Sequence, residues 1–118
     1  IQISVDHTYY AELIRRGQEI SLNDEKQKNV LMKALGPEAY VEGQYLQQIM
    51  RADDVLVLCT DGLYNAVSTE DIIAVCESVR TGTVLLEQAV DILLNKGVEP
   101  GASDNLTLIL YLHDKKEI

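Results

Sequence analysis

The sequence predicts an α+β fold in which helices pack on one face of a mainly antiparallel sheet. Residues 106–112 (LTLILYL) are apolar on both faces, as a covered central strand should be, and residues 55–59 (VLVLC) form a second continuous apolar run. Between these runs, apolar residues recur at the spacing of an amphipathic helix: Ile72, Val75, Cys76 and Val79. The length of 118 residues suits one hydrophobic core, so residues 1–118 are predicted to form a single domain.

The first third of the chain alternates between ordered and polar segments. Residues 1–5 have the period-two pattern of a half-buried strand, and residues 8–16 carry helix formers up to Gly17, a suitable residue just past a helix end. Residues 17–29 are polar and without sustained periodicity, which indicates a loop or a short helix with a charged exterior. Residues 30–36 are short and apolar and are predicted to be a strand or a single helical turn.

The remaining elements follow in a β-β-α-α-β order. Residues 44–50 and 55–60 are predicted to pair as a hairpin, because a turn-like RADD segment separates them. Ser68 and Asp71 fit a capping box at the start of the first long helix. Residues 83–95 repeat the helical pattern, and the final apolar run closes the sheet.

Charge and composition exclude several classes of protein. A balance of 19 acidic against 10 basic residues gives a net charge of −9, which repels phosphate backbones and anionic lipid. No apolar run approaches the ~20 residues of a membrane-spanning helix. We therefore expect no nucleic-acid binding, no membrane insertion of this segment and a cytoplasmic setting. The two cysteines, Cys59 and Cys76, lack the spacing of a metal or redox motif and are expected to be reduced core residues.

Two aspartates occupy mirrored positions beside the apolar runs. Asp61 follows the run 55–59 after one intervening residue, and Asp104 precedes the run 106–112 by the same margin. If the two strands are adjacent and antiparallel, both carboxylates stand at one edge of the sheet, within about 6 Å of each other. Such a pair must share a proton or bind a hard cation such as Mg2+, Mn2+ or Ca2+. The alternative is a pair of ordinary turns, with Asp104 satisfying its own backbone.

Four segments resemble, in order and spacing, the metal-dependent protein phosphatases of type 2C. CTDGLYNAVSTEDI is similar to the family's Ser-Asp-Gly-Leu segment, and GASDNLTLILYL is similar to its Gly-x-x-Asp-Asn-(Ile/Leu)-Thr strand. VDHTYYAELIRRG resembles the Asp-His-Ser/Thr segment with its following helix, and NVLMKALG resembles the Asn-Val-x-x-Arg-Ala-Leu-Gly run. The resemblance spans nearly the whole chain, is closest to bacterial members, and implies half of an α-β-β-α sandwich.

The resemblance also implies an activity and a set of residues. Asp61 and Asp104 match the two C-terminal aspartates that ligate one ion of a dinuclear Mg2+ or Mn2+ centre, with Gly62 beside the first acid. Asn105 would either orient the Asp104 ligand or simply hold the turn. The reaction implied is hydrolysis of phosphoserine and phosphothreonine in phosphoprotein substrates by water activated between two ions. Thr60 and Ser103 flank the acids, but no base accompanies them, so neither is expected to be a nucleophile.

Other parts of the family pattern differ in this chain. The segment 17–29 falls where the family carries a flap beside the active site. Three features of the family's N-terminal half have no counterpart here: the early acidic ligand, the Asp-Gly-x-Gly-Gly loop with its nearby His, and the phosphate-binding Arg. In addition, Lys33 replaces the Arg before Ala-Leu-Gly. We therefore expect an isolated chain that is inactive, with an apolar sheet face that binds the missing N-terminal half or a second copy.

Two other functional hypotheses stay open at this point. The first is a pseudophosphatase-like interaction module that kept the fold without catalysis. The second is an unrelated acidic α+β domain that binds Ca2+ or a protein.

Overall fold

The computed structural model describes residues 1–99, 101 and 104–114, and the chain divides into two compact units, Ile1–Gln48 and Ile49–Ile118. The predicted polar tail beyond residue 114 and part of the loop before Asp104 lie outside the described residues. The expectation of a single domain stays a prediction.

The first unit contains the predicted helix of residues 8–16, which forms as α1 (Tyr9–Arg15). Its N-cap is Thr8, whose hydroxyl accepts a hydrogen bond from the backbone N–H of Ala11 at 3.1 Å. At the other end, Gly17 has a φ of 65°, and the N–H of Gln18 donates to the carbonyl of Leu13 at 3.1 Å. This is the Schellman arrangement, in which glycine is favoured because a Cβ is strained at positive φ.

The polar segment 17–29 contains one short helix, α2 (Leu22–Glu25). A reciprocal capping box begins it: the N–H of Asp24 donates to Ser21 Oγ at 3.2 Å, and the N–H of Ser21 donates to Asp24 Oδ2 at 3.0 Å. No residue of α2 is buried. The alternative of a short helix with a charged exterior is therefore confirmed.

The strand predicted at residues 1–5 is wrong, since these residues have no regular secondary structure. Residues 30–36 form neither a strand nor a helical turn; isolated bridges join Thr8 to Leu31 and Leu35 to Glu38. The period-two alternation of a sequence shows which side chains would share a face. It does not show that a backbone partner lies alongside, and a strand needs such a partner over several residues.

The second unit is built on a two-stranded antiparallel sheet of β1 (Val55–Cys59) and β2 (Leu108–Leu112). Val55 pairs with Leu112 at one end of the ladder, and Cys59 pairs with Leu108 at the other. The predicted antiparallel pairing of these two apolar runs is confirmed. The predicted hairpin is wrong, because residues 44–50 form no strand and the described partner of β1 is β2.

Three helices connect the strands: α3 (Asp61–Ala66), α4 (Thr69–Arg80) and α5 (Leu86–Gly97). The predicted cap of α4 forms in part, since Ser68 Oγ accepts from the N–H of Asp71 at 3.1 Å. The helix predicted at residues 83–95 is confirmed with slightly later bounds. Helices and an antiparallel sheet together give the predicted α+β class.

The core of the second unit lies between the helices and one face of the sheet. Val57 of β1 and Leu108 of β2 pack from the sheet against a cluster of buried side chains. The members of this cluster are Leu63, Val67, Val75, Val79, Ala89, Leu93 and Leu110. On the opposite face of the same ladder, Leu58, Ile109 and Tyr111 are 52%, 59% and 49% exposed. The exposed apolar sheet face expected for this chain is therefore present, while the pattern of a strand covered on both faces does not hold for β2 here.

Both cysteines have free thiols. Cys76 is half-buried, but Cys59, at the end of β1, is exposed, so its predicted place in the core is wrong. Partial loss of hydration, smaller at Cys59 than at Cys76, raises the pKa of each thiol above its ordinary value.

Over residues 1–99, 101 and 104–114, no helix combines the length and the apolar character needed to cross a membrane. The two long helices, α4 and α5, have 12 residues each, whereas a membrane span needs ~20.

Candidate metal centre at the sheet edge

The ladder between β1 and β2 continues for one more pair at the edge where the acidic residues lie. The backbone N–H of Thr60 donates to the carbonyl of Thr107 at 3.0 Å. In return, the N–H of Thr107 donates to the side-chain oxygen Oγ1 of Thr60, also at 3.0 Å. Thr60, the residue next to Asp61, is therefore held in register with the sheet, and its partner Thr107 lies three residues after Asp104.

Beyond this pair, Gly62 lies directly against the backbone of Asn105. Gly62 is buried, and a Cβ placed on it would lie 2.1 Å from the carbonyl oxygen of Asn105 and 3.3 Å from the Cα of Leu106. No side chain fits in that space unless the backbone of Asn105 moves. The glycine after Asp61 thus permits the close approach of the two segments.

This contact brings together the two segments that carry the predicted ligands. Asp61 directly precedes Gly62 and Asp104 directly precedes Asn105, so each acidic residue is one Cα–Cα step, about 3.8 Å, from a residue in contact. Both aspartates are exposed. The condition set by the sequence, adjacent antiparallel strands with both acids at one edge, is met. The expected separation of about 6 Å between the carboxylates stays a prediction.

Asp61 is the first residue of α3 rather than part of a loop. The N-terminal end of a helix carries partial positive charge from its unpaired N–H groups, so it stabilises a nearby carboxylate. The residue before Asp61, Thr60, has the extended backbone of an N-cap but makes no capping bond with its side chain.

Asp104 makes the local contact expected of a turn aspartate. Its Oδ1 accepts from the N–H of Asn105 at 2.7 Å. This bond agrees with the turn alternative, in which the aspartate satisfies its own backbone. It also leaves room for a ligand, because an ionised carboxylate has two oxygens with about four acceptor sites.

The chemistry of the donors fits a hard divalent cation. Two exposed carboxylates and the neighbouring backbone carbonyl of Asn105 offer oxygen atoms, which Mg2+, Mn2+ and Ca2+ prefer. Among the described residues there is no group of three or more His, Cys, Asp or Glu side chains that could hold a metal ion. The edge therefore offers two side-chain ligands, and any ion held there would keep several waters.

Sequence reasoning missed the role of Thr60. It rejected the hydroxyl as a nucleophile, and the structure gives it a structural bond across the ladder instead. The sequence places a hydroxyl residue between the end of an apolar strand and Asp61, but nothing in it indicates the bond to Thr107. Ser103, the other hydroxyl residue considered, lies outside the described residues.

Lys33, which stands where the family has Arg, lies in the first unit, where Lys33 and His7 make local contacts. Lys33 Nζ donates to the carbonyl of Glu42 at 3.4 Å, and His7 Nε2 lies 3.2 Å from Gln44 Oε1. His7, Lys33 and Gln44 line an open cavity of about 440 Å³, together with mostly apolar residues. Their hydrogen bonds link the cavity wall to the backbone and side chains of residues 42–44.

Comparison with known proteins identifies the family. The sequence model of the Protein phosphatase 2C family matches residues 21–106, a span that includes α3, α4, α5 and both predicted ligands. The chain belongs to the Protein phosphatase 2C family.

Bacterial phosphatases are among the relatives that the chain matches. The chain is 35% identical over 116 residues to the serine/threonine phosphatase stp of Listeria monocytogenes serovar 1/2a, covering 96% of this chain and 44% of that protein. It is 27% identical to the protein phosphatase PhpP of Streptococcus pneumoniae, over 98% of this chain and 46% of that protein. The chain therefore spans less than half the length of the Protein phosphatase 2C relatives it matches.

Solved structures of similar phosphatases share the fold. The serine/threonine phosphatase of S. agalactiae superimposes with a TM-score of 0.73 at 27% identity, covering 92% of this chain and 44% of that one. The PPM Ser-Thr phosphatase MsPP of Mycobacterium smegmatis, solved with cacodylate, gives a TM-score of 0.69 at 25% identity, covering 96% of this chain and 47% of that one. The α+β arrangement is thus that of the Protein phosphatase 2C family.

Proposed function

We propose that this chain is part of a protein serine/threonine phosphatase of type 2C and supplies two of its metal ligands, Asp61 and Asp104. The observation that carries the proposal is the contact between Gly62 and the carbonyl of Asn105, since it brings the two acidic segments to one edge of the sheet. The match to the Protein phosphatase 2C family over residues 21–106 supports it.

Each residue of the edge has a distinct role in this proposal. Asp61 and Asp104 hold Mg2+ or Mn2+ through their carboxylates. Gly62 lets the two backbones approach, and Asn105 holds the turn that presents Asp104. Bound divalent ions supply Lewis acidity and lower the pKa of water, which is the chemistry that phosphate ester hydrolysis needs.

The proposed substrates are phosphoserine and phosphothreonine in proteins, and the proposed setting is the cytoplasm. Segment 17–29 is proposed to be a flap that shapes substrate access. Its helix α2 has no buried residue, and Lys28 Nζ lies 5.2 Å from the centre of the Tyr10 ring, a cation–π contact that links the segment to α1.

We expect this chain alone to lack useful phosphatase turnover and to bind a divalent ion weakly. Two carboxylates offset little of the cost of removing water from Mg2+ or Mn2+. Hydrolysis also requires a phosphate group held in line with the attacking water, and that positioning contributes much of an enzyme's rate. An assay of the purified chain with Mn2+ and a phosphopeptide checks this; turnover comparable to an intact phosphatase would contradict it.

Titration of the 15N-labelled chain with Mn2+ tests the metal site. Paramagnetic Mn2+ broadens the amide signals of residues near its binding site, so even weak binding is located. We expect selective broadening at residues 61–62 and 104–105. Asp61→Asn and Asp104→Asn should each reduce it, because each removes a charged ligand.

Asp91→Asn is the matched control, since Asp91 is an exposed aspartate on α5 with the same charge. It should leave the broadening at residues 61–62 and 104–105 unchanged. Broadening spread evenly over the acidic surface would indicate general attraction to the net charge of −9 and would contradict a metal site at Asp61 and Asp104.

A further inference from the structure

We infer that Thr60 is a positioning residue for the metal site: its hydroxyl fixes the register in which the Asp61 and Asp104 segments meet. The inference rests on the proposed function, because it concerns how those two carboxylates are presented. It adds a role for a side chain that contributes no metal ligand and no proton.

The hydroxyl of Thr60 takes the place of a main-chain acceptor in the ladder. In a hydrogen-bonded antiparallel pair, each residue donates its N–H to the carbonyl of the other. Here the N–H of Thr60 donates to the Thr107 carbonyl at 3.0 Å, but the N–H of Thr107 donates to Thr60 Oγ1 at 3.0 Å. The backbone of Thr60 therefore makes one hydrogen bond of the pair, and its side chain accepts the other.

The reason for this exchange is the start of α3. The carbonyl of Thr60 accepts from the N–H of Leu63 at 3.2 Å, the first bond of the helix turn. The main chain has thus turned away from the sheet, and its carbonyl serves the helix. Without the hydroxyl, the N–H of Thr107 would lose its described acceptor at the point where the chain leaves the ladder.

Two contacts then bracket Asp61. On one side is the Thr60–Thr107 pair, and on the other is Gly62 against the carbonyl of Asn105. Asp104 immediately precedes Asn105 in the chain. Removing the hydroxyl leaves the bond from the Thr60 N–H to the Thr107 carbonyl and the contact of Gly62 with Asn105, so one hydrogen bond between the two segments is lost and the acidic residues gain freedom relative to each other.

The residue type needed at position 60 follows from this geometry. Valine has nearly the shape of threonine but no oxygen, so it removes the acceptor and keeps the volume. Serine keeps the hydroxyl and removes only a methyl group. A comparison of Thr60→Val with Thr60→Ser therefore separates the hydrogen bond from packing.

The test is the Mn2+ titration of the 15N-labelled chain, performed on both variants well below their melting temperatures. We expect Thr60→Val to raise the Kd for Mn2+ at residues 61–62 and 104–105 about tenfold, the lower end of the effects seen when residues that orient metal ligands are replaced. Thr60→Ser should stay near the value of the unsubstituted chain.

Thr81→Val is the matched control. Thr81 Oγ1 donates to the carbonyl of Glu77 at 3.0 Å at the end of α4, so this variant also loses a hydroxyl hydrogen bond in the second unit. It should lower the melting temperature without changing the Kd for Mn2+. If Thr60 had only a structural role, Thr60→Val would likewise lower the melting temperature without changing the Kd for Mn2+.

The outcomes separate the inference from the proposed function. An unchanged Kd in Thr60→Val, with selective broadening in the unsubstituted chain, overturns the inference alone. Absence of selective broadening at Asp61 and Asp104 in the unsubstituted chain overturns the metal site and the inference with it. If Thr60→Val does not fold, Thr60→Ala removes the same acceptor without a branched side chain. An unchanged Kd for Mn2+ in Thr60→Ala would also overturn the inference.

Discussion

At the scale of single residues, Gly62 is the position of the site that tolerates substitution least. Its missing Cβ leaves space for the carbonyl oxygen of Asn105, which is a backbone atom and cannot rotate away like a side chain. The requirement is for space rather than for an unusual backbone angle, because Gly62 is not among the glycines with positive φ. Substitution there should therefore act through the Asn105 segment.

We predict that Gly62→Ala destabilises the second unit by about 1–3 kcal/mol, the cost of overpacking a filled site. Alanine gains up to ~1 kcal/mol of helix propensity over glycine, which is less than the cost of displacing a backbone carbonyl. Urea unfolding followed by circular dichroism measures the change.

Gly43→Ala is the control for this prediction. A Cβ at Gly43 would have no atom within 4 Å, and the residue does not have a positive φ. Its effect should stay within about 0.5 kcal/mol. Equal effects of the two substitutions would show that the contact between Gly62 and Asn105 is not tight in solution.

At the scale of elements, α4 begins soon after α3 ends: only Val67 and Ser68 separate the two helices, and Ser68 is the N-cap of α4. Ser68 Oγ satisfies the N–H of Asp71, one of the unpaired donors of the first helical turn. Val75 and Val79 on α4 then belong to the buried cluster, so the start of the helix fixes the position of two core residues.

We predict that Ser68→Ala lowers the free energy of unfolding by about 1 kcal/mol, the usual effect of losing a capping side chain. Ser68→Asp should preserve stability, since aspartate caps helices as well as serine does. Thermal unfolding of the three proteins checks the prediction. A melting temperature for Ser68→Ala equal to that of the unsubstituted chain would contradict it.

The helices α1, α4 and α5 were predictable from the sequence because their signals are local, whereas α3 was not predicted. The spacing of Ile72, Val75 and Val79 and the capping residue Ser68 lie within one segment, and α4 formed where they indicated. Strands were predictable only where a long apolar run had its partner within the chain, as for residues 55–59 and 108–112. Residues 1–5 and 44–50 have strand-like composition, but the described structure gives them no continuous ladder.

The candidate site was predictable in outline for a related reason. Mirrored placement of Asp61 and Asp104 fixes a common edge once the strands are antiparallel, and the register confirms that condition. The bond from Thr107 to the Thr60 side chain could not be read from the sequence. The bond forms because α3 begins at Asp61 and its first turn uses the Thr60 carbonyl as an acceptor. This arrangement is visible only in the folded structure.

At the scale of the whole molecule, one face of the sheet exposes neighbouring apolar side chains. Leu58 and Ile109 are opposite each other in the ladder and are both more than half exposed, with Tyr111 on the same face. Contiguous apolar surface of this kind favours association, because burying it removes apolar area from water. We propose that this face pairs with a second copy of the chain when the chain is produced alone.

We predict that the apparent mass in sedimentation rises with protein concentration and that Ile109→Lys suppresses the rise, because a charged side chain at the contact must lose its water. Ile73→Lys is the control: Ile73 is 58% exposed on α4, against 59% for Ile109 on the sheet. It should leave the association unchanged. A monomer at all concentrations, or equal effects of both lysines, would contradict the prediction.

The Thr60–Thr107 pair joins residues 47 positions apart, with three helices between them. Closing a loop of that length costs chain entropy that short helical contacts do not, so contacts of this kind tend to form late in folding. The edge that carries Asp61 and Asp104 should therefore assemble after α3, α4 and α5 have begun to pack. A cation that binds only the assembled edge would then slow unfolding more than it speeds folding, since its ligands come together after the rate-limiting step.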